Sequence, residues 1–256
     1  MNPKPLNKLK VRLRIGRRMT LIAGFKCEGI GGGLVIAAEM EESSGFTGKR
    51  TVNKMKPTDF FGEWQAVSEG AGDSAIIDNA TSRLVKEFSA IRPFDSEKVL
   101  EAIDNVLDKV HQKYIDPDPR CQGLSLIIAL KYGDKLDLIS TQGRTPKPES
   151  GSVCIGMGAD LATYLADRLY DPWASLADTT KIATIILKEI KNAVRSCGLG
   201  SEITILHKEG RTFTYFGREE LKIIEDELPN FGDALSSYGK QLHVADPQIF
   251  RLMLPT

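Results

Sequence analysis

Residues 19–55 read MTLIAGFKCEGIGGGLVIAAEMEESSGFTGKRTVNKM, and this stretch decides the fold. Residues 20–26 and 34–38 are apolar runs of strand composition. The glycine-rich stretch 28–33 between them carries the turn signals of a hairpin. Gly29, Gly31, Gly32 and Gly33 do not make a phosphate loop, because GxGxxG lacks its third glycine and no Gly-Lys-Ser/Thr follows. A further strand is expected over residues 51–55.

Outward from the hairpin, residues 63–68 continue as strand, and the pattern then changes period. Ile76, Ile77, Ala80, Leu84 and Phe88 recur at helical spacing over residues 75–88. Over residues 96–114, Val99, Ile103, Val106, Leu107 and Val110 form one apolar stripe opposite a charged face. Strands are expected again at 124–130, 135–140 and 152–155. Helices then return at 159–169, with Leu161, Leu165 and Leu169 in a row, and after a capping box of Ser175 and Asp178 ahead of Ile182, Ile185, Ile186 and Ile190. Residues 202–207 and 212–216 close the series as a strand pair. Two helical blocks between antiparallel strand blocks predict an α+β fold, a four-layer αββα sandwich of two antiparallel sheets flanked by helix pairs. A parallel doubly wound sheet would need stricter alternation of strand and helix.

Of the 256 residues, 41% are hydrophobic and 27% charged, enough to bury a substantial core. No apolar run approaches the ~18 residues that span a bilayer, and the basic start lacks the apolar stretch of a secretory signal. A soluble, cytoplasmic protein is expected. Net charge is zero, yet residues 1–18 hold seven basic residues and no acid, leaving 27 basic against 34 acidic residues in the rest. Such a segment more often makes a solvated extension than a nucleic-acid-binding arm, so no nucleic-acid partner is expected. Cys27, Cys121, Cys154 and Cys197 are too widely spaced for a zinc knuckle or a disulfide framework and read as free thiols. His111, His207 and His243 show no ligand spacing, and no metal or cofactor is expected.

Several ordered segments resemble a proteasome-type β subunit of the N-terminal-nucleophile hydrolase family, in a divergent, prokaryotic-like form. MTLIAGFK and GLVIAAEMEESSGFTGKRTVNKM are similar to the family's opening. SEGAGDSAIID resembles its Gly-Gly-x-x-Asp turn into the first helix, CIGMGADLATYLADRLYD its Gly-Ser-Gly turn into the third, and GLGSEI its last Gly-Ser motif. Each motif is short, and their shared order carries the inference. The resemblance spans residues 19–216. Residues 1–18 are then a basic extension or propeptide, and residues 217–256 a C-terminal extension, either a subunit-contact arm or a cap on its own domain.

The resemblance implies a threonine-type peptidase or amidohydrolase acting through an acyl-enzyme on Thr20. The α-amine of an N-terminal threonine, titrating at about 7.7 to 8.0, takes the hydroxyl proton. Thr20 must therefore begin the mature chain, either by translation from Met19 and loss of that methionine or by removal of a propeptide. Lys54 is the implied fixed positive charge beside the Thr20 hydroxyl, and Glu39, in place of the family's usual Asp, the acid that orients it. Ser43, Glu69 and Gly70 are the implied substrate-binding and oxyanion residues, and Ser201 is an accessory. Met157 stands where the family often has Ser, and Arg195 where it has an acid. Implied partners are a peptide or protein substrate, further copies of the chain in a ring or related assembly, and an ATP-dependent unfoldase. The alternative is a catalytically inactive structural subunit of such an assembly.

Overall fold

β1 (Leu21–Cys27) and β2 (Gly33–Glu39) form the expected antiparallel hairpin, with Ile22 opposite Ala38 and Cys27 opposite Gly33. Gly31 holds φ 83 in the connecting turn, a left-handed conformation that glycine adopts without steric cost. Nearly every residue of both strands is buried, which is why they read as continuous apolar runs instead of alternating ones. The structure is a computed structural model describing residues 20–228, apart from 45–47, 52–54, 56, 61–62, 119–122, 195–196, 199 and 211–212.

The remaining order is β3 (Glu41–Ser44), β4 (Gly48–Thr51), β5 (Thr58–Phe60), β6 (Trp64–Gly72), α1 (Ser74–Phe88) and α2 (Ser96–Val110), the last continued by a π-helical turn, His111–Ile115. Then come β7 (Leu124–Tyr132), β8 (Lys135–Gln142), β9 (Thr145–Glu149), β10 (Ser152–Gly156), α3 (Ala159–Leu169), α4 (Leu176–Ala193), β11 (Ser201–His207), β12 (Phe213–Phe216) and α5 (Arg218–Glu227). Sheet one runs β10-β1-β2-β11-β12 and sheet two β5-β6-β7-β8-β9, with β3 and β4 as a separate ribbon. Every strand pair is antiparallel.

Strand alternation divides the core into three apolar layers. Odd residues of β1 and β2, such as Leu21, Phe25, Val35 and Ala37, pack with Ala183, Ile186, Leu187 and Ile190 of α4. Even residues, such as Ile22, Leu34, Ile36 and Ala38, meet Val67, Ile127, Ala129 and Leu138 of sheet two. The other face of sheet two packs on Leu84, Phe88, Val99, Ile103 and Leu107 of α1 and α2. The result is the four-layer αββα sandwich expected from the sequence, and the fold is proteasome-like.

The helices start where local chemistry dictates. Asp73 and Asp95 cap α1 and α2 by accepting backbone N–H groups of Ala75 and of Glu97 and Lys98. Ser175 caps α4, accepting the Asp178 N–H at 3.1 Å and donating its hydroxyl to the Asp178 carboxylate. α5 packs against α4 and β11: Lys188 Nζ donates to the Glu225 and Leu228 carbonyls, closing the helix's C-terminal end. The described part of the C-terminal stretch thus packs against α4 and β11 of the same chain.

Candidate active site

Thr20 directly precedes β1 and extends its ladder by one step, its carbonyl accepting the Met157 N–H at 3.2 Å. Leu21 faces α4 and Ile22 faces sheet two, so alternation sets Thr20 on the Ile22 side, toward the space between the sheets. It is 9% exposed. Gly156 fixes this arrangement: its φ is 93, and a Cβ there would lie 1.8 Å from the Thr20 carbonyl oxygen and 3.1 Å from the Ala71 Cβ. No residue but glycine fits. Thr20 therefore sits beside the end of β6, where Gly72 turns at φ 138 into the Asp73 cap of α1.

β7 pairs with all of β6, but β5 covers only Trp64, Gln65 and Ala66, so from Val67 to Gly72 no strand pairs with the opposite edge among the described residues. Val67, Glu69 and Ala71 face the layer between the sheets, while Gly70 faces α1, where a Cβ would come within 2.9 Å of Ile77. Glu69 is only 3% exposed.

The other residues expected from the sequence are not all brought to this place. Glu39 ends β2 on the α4 side, fully buried, where its Oε1 accepts the Gly198 N–H at 3.4 Å. Ser201 lies opposite Glu39 in the β2–β11 ladder and shares that face. Its hydroxyl donates at 3.0 Å to Glu225 of α5, which also pairs with Lys191 at 2.5 Å. Thr20 and Glu69 thus face the space between the sheets, and Glu39 and Ser201 the layer behind. Ser43 belongs to β3. Lys54 and Arg195 lie outside the described residues.

Two further groups near the site escaped the sequence. Glu202, fully buried on the side facing sheet two, accepts the Tyr215 hydroxyl at 2.9 Å and the Met55 N–H at 3.4 Å. The signal was present in the alternation around Ile203 and Ile205, which sets residue 202 on the opposite face from those isoleucines. Cys154 lies on β10 opposite Ala23. Burial pushes its thiol up to about 12, so it is protonated at neutral pH and inert as a nucleophile. Among the described residues no cluster of His, Cys, Asp and Glu is arranged to hold a metal ion, and no helix is long and apolar enough to cross a membrane.

A four-layer sandwich with a threonine at the start of its first strand defines a proteasome-like fold, and solved structures specify the likeness further. The chain is similar to Anbu, the ancestral beta-subunit, from Yersinia bercovieri, with a TM-score of 0.69 and 15% identity over 89% of this chain and 99% of that one. A mutant form of Anbu from Hyphomicrobium sp. strain MC1 gives 0.70 and 14%, again over 89% and 99%. Anbu from Pseudomonas aeruginosa, solved as a helical assembly, gives 0.65 and 13% over 92% and 98%. No protein-family model and no curated protein matches the chain. These neighbours correct the resemblance drawn from the motifs. They are Anbu proteins, distinct from the proteasome β subunits that the short segments suggested, and at this identity the likeness is one of fold. Motifs made of strand ends and glycine turns report that fold and do not separate its branches.

Proposed function

We propose that this chain is an N-terminal threonine amidohydrolase on an Anbu-like fold, cleaving peptide bonds through an acyl-enzyme on Thr20. The observation that carries it is the clamp on Thr20: Met157 holds its carbonyl, and Gly156 admits no side chain between it and Ala71 of β6. A fold that requires only stability has no need of a threonine held this closely at the start of its first strand.

The chemistry follows from the group. Once the bond before Thr20 is cut, its α-amine is the base. The hydroxyl oxygen attacks the substrate carbonyl carbon, and the hydroxyl proton passes by way of the amine to the leaving nitrogen as the C–N bond breaks. Water then attacks the ester, releasing the acid and restoring Thr20. Lys54 supplies the fixed positive charge of this proposal, and the backbone at Glu69 and Gly70 the donors for the oxyanion. The chain assembles with copies of itself, as the Pseudomonas aeruginosa neighbour does.

A second reading has its own observation. Glu39 and Ser201 lie on the face turned away from Thr20, and Met157 supplies no hydroxyl, which suits a structural subunit without activity. Intact-protein mass spectrometry separates the two. A chain beginning at Thr20 should gain one mass of a peptide epoxyketone, and Thr20→Ala should lose the gain, a fall of a thousand-fold or more by analogy with other nucleophile deletions, roughly. An exposed Thr20 that takes no adduct supports the inert subunit.

A further inference from the structure

Two carboxylates at one end of sheet one stand on opposite faces. Glu39 follows Val35 and Ala37 toward α4, whereas Glu202, paired with Ala38, follows Leu206 toward sheet two. Across the sheet, Ile22, Ala38 and Glu202 form one row facing the space between the sheets. Thr20 lies two residues from Ile22 on that same face. The β1–β11 separation is two strand spacings, about 10 Å. In that row Ala38 stands between Ile22 and Glu202.

Glu202 is also held in place. Tyr215, on the edge strand β12, donates its hydroxyl to Oε2 at 2.9 Å, and the Met55 N–H donates to Oε1 at 3.4 Å. Burial and the Glu202 charge push the Tyr215 phenol well above its usual range, so it stays a donor at any working pH. Met55 belongs to the apolar layer between the sheets and immediately follows Lys54 in the chain. The other described charges that the strands turn toward this layer are Glu69 of β6 and, at its far end, Lys131 of β7 and Lys26 of β1. β2 contributes no charged residue on that face, and β1 contributes only Lys26 at the far end, paired with Glu28.

We infer that Glu202, aligned by Tyr215, is a positioning residue for Thr20 chemistry: it anchors the backbone at Met55 and sets a negative field on the Thr20 side of the sheet. The inference rests on the amidohydrolase reading and names an acid that the motifs did not, on the face that Glu39 does not occupy.

The test is the rate at which a peptide epoxyketone labels the mature chain, followed by intact mass across the pH range in which the α-amine titrates. Removing an anion lowers the pKa of a nearby ammonium. Glu202→Gln should therefore shift the midpoint of the rate profile down by about half a pH unit, as expected for a charge at that range, and slow labelling about ten-fold. Glu202→Asp should keep the midpoint. Tyr215→Phe, at a partly exposed edge position, should move both quantities the same way by a smaller amount. Folded Glu202→Gln and Tyr215→Phe proteins with the wild-type rate and midpoint overturn the inference. Should Glu202→Gln fail to fold, an unchanged Tyr215→Phe overturns it alone. A wild-type chain that begins at Thr20 and takes no label brings down the amidohydrolase reading itself, a different result from labelled variants that match the wild type.

Discussion

The layer between the two sheets carries opposite charge at its two ends. At the Thr20 end, Glu69 and Glu202 are buried acids. At the other end Lys131 is buried, and its ammonium donates to the carbonyls of His207 and Gly210, at the end of β11 and in the turn toward β12. There the charge closes on backbone of the same hairpin, and its surroundings are paired as well: His207 Nε2 meets the Thr214 hydroxyl at 2.7 Å, and Lys26 pairs with Glu28 at 3.1 Å. At the Thr20 end Glu202 is held by an edge-strand phenol and by a residue outside the main ladders. One end is thus built as a lock and the other as a site, so changes at the two ends should separate stability from reactivity.

Apart from loss of Thr20 itself, the largest effect is expected at Gly156. In Gly156→Ala the new methyl would overlap the Thr20 carbonyl oxygen at 1.8 Å, in a backbone conformation with φ 93 that disfavours any side chain. Thr20 must move by the order of an ångström, and misplacement of that size costs roughly 100-fold in rate. Labelling of the folded variant by the epoxyketone checks this. A rate equal to wild type would show that Thr20 does not need its clamp.

At the lock end the expected effect is on stability alone. Lys131→Ala removes a buried side chain whose ammonium donates to the carbonyls of half-buried His207 and exposed Gly210, which should lower unfolding free energy by about 1 kcal/mol, the usual net worth of such hydrogen bonds where water can replace the donor. Urea denaturation measures it. Epoxyketone labelling should stay at the wild-type rate, and a parallel loss of labelling would erase the distinction between the two ends.

Most of the fold was legible because burial writes itself into period. Val99, Ile103, Val106, Leu107 and Val110 mark α2, and all five are buried. The elements missed have no such pattern. β9 contains Pro146 and Pro148, which supply no N–H to a ladder; it survives as the edge of sheet two, with only β8 beside it. The β3–β4 ribbon is polar and lies outside both sheets. The site was less legible because chemistry depends on which face a residue takes. Thr20 and Glu39 end paired strands, but one residue of register places them on opposite sides of the sheet. Glu202 passed unnoticed because one charged residue within an alternating strand reads as its solvent face, and here a second sheet covers that face.

The smallest effect tests the lock from within. Burial, and then the neighbouring Lys131 charge, hold the His207 imidazole below its ordinary pKa of 6.5. Above 6.5 the ring is neutral in both folded and unfolded chains, and His207 costs no stability. As pH falls below 6.5 the unfolded chain takes up a proton that the folded chain refuses, so stability declines until pH passes the depressed folded value. Urea midpoints should therefore drop on acidification through this window, and His207→Gln should flatten that part of the profile. Lys131→Ala should flatten it as well, because removing the cation lets the folded imidazole titrate nearer to its unfolded value. If Lys131→Ala leaves the acid limb as steep as in the wild type, burial alone sets the His207 proton affinity, and the two cationic groups at the lock end are electrostatically independent.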